Sequence, residues 1–330
     1  MVQTNETSKY LSSKELESFA HFERNYDMVV DYPLIAERPI VIPAHHPSRE
    51  SRKCIFCGCG EPVTTFRHKA HAVPDFLGNQ SLFSPNECDQ CNGHLANEFE
   101  DHLAKGLLPL RSIAQIRGGK GVPTHKDSTG GIRMEKTAAG FKHTVDNADV
   151  RSQLEIQLNR PGPIELKLPP TPSQTFIPIR AGMALCKIVC SACPQKELSQ
   201  IQPAIDWLMN RKQIGRIGFP VLFGFTPGRN PHGAGRLTLL RRKTDIEAPY
   251  IWCIIATANF RFQFFLPFCP ADGWFWQAQK KRITLWYLPE RFEDNQNFGP
   301  PEIGVWNFSE TQPCAAHYEF SLEVGRPEHP

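Results

Sequence analysis

The feature that most narrows what this chain can fold into is a doubled cysteine pair, Cys54-x-x-Cys57 and Cys88-x-x-Cys91. Two such spacings let two tight turns present four thiolates to one tetrahedral ion, and Zn2+ favours that donor set. Turn-forming residues follow each pair, Gly58 after the first and Asn92-Gly93 after the second, so backbone amides can approach the sulfurs. Cys59 lies two residues past Cys57, a spacing less suited to ligation. A closed four-thiolate site leaves no open position for substrate, so it staples the chain and any catalytic ion must be a different one.

Composition sets the surroundings of this staple. A chain of 330 residues with 40% hydrophobic content can fill the cores of two ordinary domains. The formal net charge is only +3, so a nucleic-acid surface would be a local patch and not a global field. Residues 1–9 are polar and lack the apolar stretch of a secretion signal, and eleven cysteines then point to thiols and metal sites in a reducing compartment. The expected location is the cytoplasm. The most apolar stretch, 250–268, is broken by Asn259, Arg261 and Gln263, which predicts buried strands and no membrane association.

Patterning along the rest predicts an α+β protein. Residues 12–24 open with Ser12 and Glu15 in capping-box spacing and carry Leu16, Phe19 and Ala20 on one face, the pattern of a short amphipathic helix. Residues 35–43 read as a strand between prolines, and 45–52 as a polar connection into the first cysteine pair. The glycine-rich, basic stretch 116–127 leads into alternating residues at 131–136 and 153–158, expected as hairpin strands. The proline-rich run 161–178 marks a division near residue 170. Beyond it, 181–192 and 195–210 predict two helices split by Pro194, and 219–225, 237–242, 251–257, 261–266 and 282–288 predict strands. The expected organisation is a helix and strand extension over 1–50, a chemistry-bearing module with a β-rich extension over 51–170, and an α+β domain with an antiparallel sheet over 171–330.

Between the cysteine pairs stands Thr65-Phe66-Arg67-His68-Lys69-Ala70-His71-Ala72-Val73-Pro74, and the second pair runs on into Asn92, where a helix through residue 104 is expected to open. In this order the sequence resembles the His-Asn-His (HNH, ββα-metal) endonucleases. There, paired cysteines bracket a strand with a His, two aliphatic residues and a proline, and the second pair leads directly into an Asn or His. His71-Ala72-Val73-Pro74 and Cys88-Asp89-Gln90-Cys91-Asn92 carry the resemblance, which covers about residues 54–110. It implies two strands and a helix gripping one divalent ion, with DNA phosphodiester hydrolysis by an activated water. On that implication Cys54, Cys57, Cys88 and Cys91 hold structural Zn2+, and His71 is the general base, neutral near working pH. Asn92 helps to hold a catalytic Mg2+ or Mn2+, whose charge offsets the negative charge gathering on phosphorus and the departing 3′ oxygen. Oxygen donors such as Asn suit these ions better than sulfur.

The sequence also departs from the family. Many members place a metal-binding Asp or His directly before the catalytic His, and here Ala70 offers no ligand atom. His68 is the nearest substitute for the catalytic ion, but residues three apart on a regular strand face opposite ways, so it reaches the site only through a bend. Glu100 matches an acid that the family often keeps two helical turns after its Asn. Eight helical residues span about 12 Å, which favours a supporting or salt-bridging role for Glu100 over direct ligation. Arg67, Lys69 and Lys120 are the candidate DNA contacts; for Arg67 and His68 an exposed strand surface is the competing reading. His94 and His102 read as surface residues of the helix, and Cys186, Cys190 and Cys193 as buried core thiols without a fourth ligand. The loop 227–236 holds Arg229 and Arg236 but lacks the strand-loop-helix context of a phosphate cradle. Arg241-Arg242-Lys243 and Lys280-Lys281-Arg282 suit either solvated strand ends or contacts to a DNA backbone.

Cutting both strands takes two active sites, so a homodimer and a nicking activity are the two simple outcomes. The C-terminal domain is expected to select DNA, to dimerise, or to sense an activating ligand or partner protein. Nucleases resembling this one often serve in restriction or phage defence. Two readings from other classes stand beside the enzyme: a non-catalytic zinc module that binds nucleic acid, with Ala70 marking a decayed metal site, and an adaptor whose zinc site only folds the chain.

Overall fold

The computed structural model describes residues 12–46, 48, 50–127, 131–138, 140–158, 164–167, 170–211, 218–226, 228, 230–276, 282–289, 302–319 and 321–324. Ser12 accepts from the Glu15 amide while the Glu15 carboxylate reaches back to the Ser12 amide, so the expected capping box starts α1 (Ser13–Asn25). The chain then enters β1 (Tyr26–Pro33) directly. β2 (Ile40–Val41), β3 (Ala70–His71) and β4 (Leu82–Ser84) form a small sheet in the order β2-β4-β3. The strand expected over 35–43 shrinks to two residues because Pro39 and Pro43, which cannot donate to a ladder, close it at both ends.

α2 (Asp89–Leu95), one π-helical turn (Ala96–Glu100) and α3 (Asp101–Gly106) continue one another, and α4 (Leu108–Ile113) follows. The helix opens at Asp89 and not at the expected Asn92. Cys88, in extended backbone at φ −82°, ψ 161°, is its N-cap, and its sulfur accepts from the Cys91 amide. β5 (His125–Lys126), β6 (Ile132–Thr137) and β7 (Gly140–Val145) make a second small sheet. The alternating stretch at 153–158, expected as a strand, is instead the end of α5 (Ala148–Leu158). The Asn147 side-chain oxygen accepts from the amides of Asp149 and Val150, a cap that commits the segment to helix.

β8 (Ile164–Lys167) and β9 (Thr171–Pro172) lead to α6 (Pro178–Ala192) and α7 (Leu198–Leu208), the two helices expected on either side of Pro194. The main sheet gathers β10 (Pro220–Phe225), β11 (Arg236–Arg242), β12 (Ile251–Thr257), β13 (Phe260–Phe265) and β14 (Glu302–Asn307) around β1, in the order β1-β11-β12-β13-β10-β14. Every pair in it is antiparallel. The fold is thus α+β, as the patterning predicts.

One core joins the sheet to the cysteine-bracketed segment. It includes Leu185 and Val189 of α6, Ile205 of α7, and Leu239, Ile255 and Phe262 of the sheet, and runs on through Cys54, Val73, Leu82 and Leu95. A second cluster of Phe22, Tyr26, Trp252 and Phe265 packs against Trp286 and Leu288. The strand expected at 282–288 makes no ladder. Side chains of β13 take its backbone groups instead: Gln263 Nε2 donates to the Trp286 carbonyl (2.5 Å), the Leu288 amide donates to Gln263 Oε1 (3.0 Å), and Arg261 Nη2 donates to the Leu288 carbonyl (2.5 Å). No helix among the described residues is long and apolar enough to cross a membrane.

Candidate metal centre and active site

The four cysteines meet. The sulfurs of Cys54, Cys57, Cys88 and Cys91 all lie within 4.8 Å of one another. Cys57 Sγ and Cys88 Sγ are 3.8 Å apart, which is the edge of a tetrahedron whose metal–sulfur bonds are about 2.3 Å. Gly58 makes the first turn possible, since it sits at φ +76° with its amide donating to the Cys54 carbonyl at 2.8 Å. The Cys88 amide points at Cys54 Sγ (3.5 Å) and the Cys91 amide at Cys88 Sγ (3.4 Å), so two backbone dipoles favour thiolate. Hydrogen bonding from Cys91 draws the Cys54 thiol down to about 5, whereas burial pushes Cys57 up to about 12. One thiolate therefore forms readily, and further negative charge is opposed until a cation is shared among the sulfurs. The donor set fits a tetrahedral ion such as zinc. Cys59 stays outside, its sulfur turned to the Cys57 carbonyl.

Asp89 ties this cage to the strand that follows the first pair. Its carboxylate accepts from Thr65 Oγ1 (2.5 Å) and from the amides of Arg67 (3.0 Å) and His68 (2.9 Å). The chain then enters β3, where His71 pairs with Phe83 of β4. The half-buried His71 ring lies 4.7 Å from the Phe83 ring, and Lys69 Nζ stands 5.8 Å over the same ring, so imidazole and ammonium flank one aromatic side chain. Asn79 fastens the connection between the two strands. It accepts from the Leu82 amide (2.8 Å) and donates to the carbonyls of Val73 (2.6 Å) and Leu82 (2.9 Å). With its amide hydrogens on those carbonyls, its 3.3 Å contact to His71 Nδ1 is the weakest of the set and leaves the ring tautomer free. Burial lowers the His71 pKa, with the Lys187 charge adding to it and Asp75 and Glu100 opposing. The imidazole is thus neutral at lower pH than an ordinary histidine.

Beneath β3 lies a cation that sequence reasoning missed. Lys187 of α6, 1% exposed, donates to the His71 carbonyl (3.3 Å) and pairs with Glu87 and Glu100, each at 3.1 Å. Burial alone would lower the ammonium; the carboxylates of Glu100 and Glu87 outweigh it and hold it above its ordinary value. Burial pushes Glu87 up to about 7, and Lys187 offsets only part of that. An isolated lysine within an apolar helix face gives no signal in the sequence, because its partners are 87 to 100 residues away along the chain.

The remaining candidates divide. Arg67, His68, Lys69 and Lys120 are exposed on the surface around β3 and the loop after α4. The side chain of Asn92, half-buried on α2, makes no hydrogen bond to a described residue. Glu100 is engaged by Lys187, in line with a salt-bridging role. Among the described residues the cysteines are the one group of three or more His, Cys, Asp and Glu side chains gathered closely enough for a metal, so His68, His71 and Glu100 do not assemble around a second ion. Asp75, which sequence reasoning passed over, is the acid whose charge acts most on His71. His94 is exposed as expected, but His102 is not simply a surface residue, since its Nδ1 accepts from the Ile177 amide at 3.1 Å. Cys186, Cys190 and Cys193 are buried with their thiols pushed up by burial.

The basic strand end after β11 is not open for DNA. Arg241 pairs with Glu197 (3.0 Å) and Asp27 (3.3 Å), Arg242 with Asp272 (3.1 Å), and Lys243 with Asp27 (3.5 Å). Lys280, Lys281, Pro227 and Arg229 lie outside the described residues.

Comparison with known proteins places the family in the same segment. Residues 54–108 match the family model described as HNH endonuclease. A protein of Mannheimia haemolytica named oxygen-independent coproporphyrinogen III oxidase is 25% identical over 137 residues, 41% of this chain and 80% of that protein. No solved structure matches the chain. The oxidase name belongs to that protein, and the likeness is too low to carry an activity across. The family match, by contrast, begins at the first cysteine of the cage and includes His71, Asn79 and all of α2 and α3, so the likeness to the HNH endonucleases lies in residues 54–108, the segment built around the cysteine cage.

Proposed function

We propose that the protein is an endonuclease that hydrolyses DNA phosphodiester bonds, with His71 as the general base and Zn2+ held by Cys54, Cys57, Cys88 and Cys91 as a structural staple. The observation that carries this reading is a half-buried imidazole, its pKa lowered by burial, on a two-residue strand fastened to the cysteine cage, within the segment that matches the family. His71 takes a proton from the attacking water, for which a depressed pKa keeps the lone pair available at working pH. Asn79 holds the strand connection so that the ring keeps its place against Phe83. Lys69, beside the ring, and Arg67 and Lys120, on the exposed surface, contact phosphate oxygens.

A catalytic Mg2+ or Mn2+ belongs to the reading through the family. Of the donors expected for it, only Asn92 and the exposed His68 are uncommitted, which falls short of the oxygen-rich shell that Mg2+ demands. No step here runs through that ion. The same shortfall favours a second reading, a zinc module that binds nucleic acid without cutting it. Restriction or phage defence is the setting proposed for the cutting activity, and a homodimer the form that would cut both strands.

The deciding experiment is cleavage of supercoiled plasmid with Mg2+ or Mn2+ by wild-type protein, His71→Ala protein and wild-type protein in EDTA. Nicking or linearisation that is lost in both controls is the expected result. A folded, zinc-loaded wild-type protein that binds plasmid and leaves it intact would replace the enzyme with the binding module.

A further inference from the structure

Arg111 is a buried charge with no ion-pair partner among the described residues. It lies on α4, just past the end of the segment that matches the family, and is 7% exposed. Its guanidinium stands 5.0 Å over the Phe76 ring, yet it makes no hydrogen bond or ion pair to a described residue, and its Nε is sealed from solvent without a partner. Burial draws it down to about 10, with the Asp75 charge the only opposing influence. Elsewhere Lys187 has two carboxylates, Arg242 has Asp272 and two carbonyls, and Arg261 donates to the Leu288 carbonyl and stands over the Tyr287 ring. A guanidinium taken out of water and left unpaired is costly unless an anion arrives to meet it.

The loop that lies against Arg111 is a glycine turn. Gly118 and Gly121 exchange backbone hydrogen bonds of 3.1 and 2.9 Å, and the Gly119 amide donates to Asp75 Oδ2 at 2.7 Å. A Cβ at Gly118 would stand 3.3 Å from Phe76 Cα and 3.6 Å from Arg111 Nη2, and one at Gly119 only 2.7 Å from Asp75 Oδ2. Glycine at 119 lets the turn close on Asp75, and a side chain at 118 would touch the guanidinium. The turn carries exposed Arg117 and Lys120 on either side. Asp75 is spent on the turn and does not reach Arg111 as an ion pair, while its charge acts on both Arg111 and His71.

We propose that Arg111, with Arg117 and Lys120 on the glycine turn, anchors one backbone phosphate of the nucleic-acid substrate beside the turn that follows β3. The inference rests on the nuclease reading and adds to it a phosphate subsite outside the family segment. A planar guanidinium grips a phosphate through two parallel N–H bonds, which a lysine cannot reproduce. The contact carries no sequence information and sets where along the strand His71 acts.

The test uses full-length protein carrying His71→Ala, so that bound DNA stays intact, and measures affinity for two duplexes of unrelated sequence over a range of salt. Adding Arg111→Met is expected to weaken both duplexes alike by about tenfold or more and to reduce the salt slope by about 0.9, the value of one phosphate contact. Its urea midpoint should stay level or rise, because an unmatched buried charge has been removed. Arg111→Lys should keep the salt slope and lose affinity. Unchanged affinity and slope in Arg111→Met would overturn the subsite alone, and so would a fall in its urea midpoint, which would make Arg111 a structural residue. Inorganic phosphate that raises the urea midpoint of the parent, with duplex affinity untouched by Arg111→Met, would assign the site to a free anion and overturn it as a substrate anchor. No binding of either duplex by the His71→Ala parent would bring down the nuclease reading together with the subsite.

Discussion

Replacing Lys187 by Met tests whether a buried charge network holds the candidate base in place. The Met side chain nearly fills the volume of the lysine stem, so the change removes the ammonium with little cavity. It strands Glu87, fully buried, and Glu100, 15% exposed at its side chain, and withdraws the donor from the His71 carbonyl. Breaking a buried pair from one side costs about 3 to 5 kcal/mol. Without Lys187, Glu87 escapes by taking up a proton, and its ordinary value is 4.5. The sign of the pH dependence follows. A carboxyl raised in the folded state adds stability that is complete below 4.5 and is lost as pH rises through the folded value, which is about 7 with Lys187 present and higher without it. Urea unfolding should therefore show Lys187→Met less stable than wild type by about 3 kcal/mol at pH 7, and both proteins should gain stability as the pH is lowered from 7, because Glu87 is raised in each. A variant as stable as wild type at pH 7 would refute the network as the tether of β3.

Asn79→Ala should cost about 3 kcal/mol in urea unfolding, because two carbonyls and two amides lose buried partners at once; a loss below 1 kcal/mol would mean that the strand connection is held by something else. Cys88→Ser should abolish stoichiometric zinc in metal analysis of the purified protein, and protein that keeps one ion per chain would show that the cage is not the binding site. The acid limb of cleavage against pH should fall below 6.5, because burial depresses His71 and it stays a competent base further into acid. Asp75→Asn removes the main opposing charge and should move that limb further down; a limb above 6.5, or one indifferent to Asp75, would contradict the environment described for the ring.

What was legible in the sequence is what local spacing encodes. The cysteine pairs, the Ser12 cap, the helices on either side of Pro194 and the strands from 220 to 265 follow from patterns a few residues long. What was not legible depends on partners far along the chain. The stretch 153–158 alternates like a strand, and one side chain before it, Asn147, overrides that pattern with a helix cap. The stretch 282–288 also alternates, but Gln263 and Arg261 of β13 satisfy its backbone, so it lies beside the sheet without joining a ladder. Lys187, Asp75 and Arg111 were invisible for the same reason, since each acquires its meaning only when α6 meets β3 and α4 meets the turn after it.

These long-range contacts bear on what the C-terminal half is for. Thr257 of β12 donates to the Leu77 carbonyl at 2.6 Å, Lys187 of α6 to that of His71, and Arg211 after α7 to that of Phe56 beside the first cysteine pair. Each bond runs from the second half of the chain to a backbone carbonyl in the HNH segment, at points before, on and after β3. Carbonyls within secondary structure are usually satisfied by neighbours in the same element, but β3 and β4 are two and three residues long and have few such neighbours to offer. A ββ unit this short cannot fix its own geometry. The sheet and α6 supply the missing hydrogen bonds and the apolar surface on which Val73, Leu77 and Leu82 rest. The second half is therefore part of the frame that positions His71, whatever further role in DNA selection or dimerisation it takes, and a signal that shifted α6 would act on the site directly through Lys187.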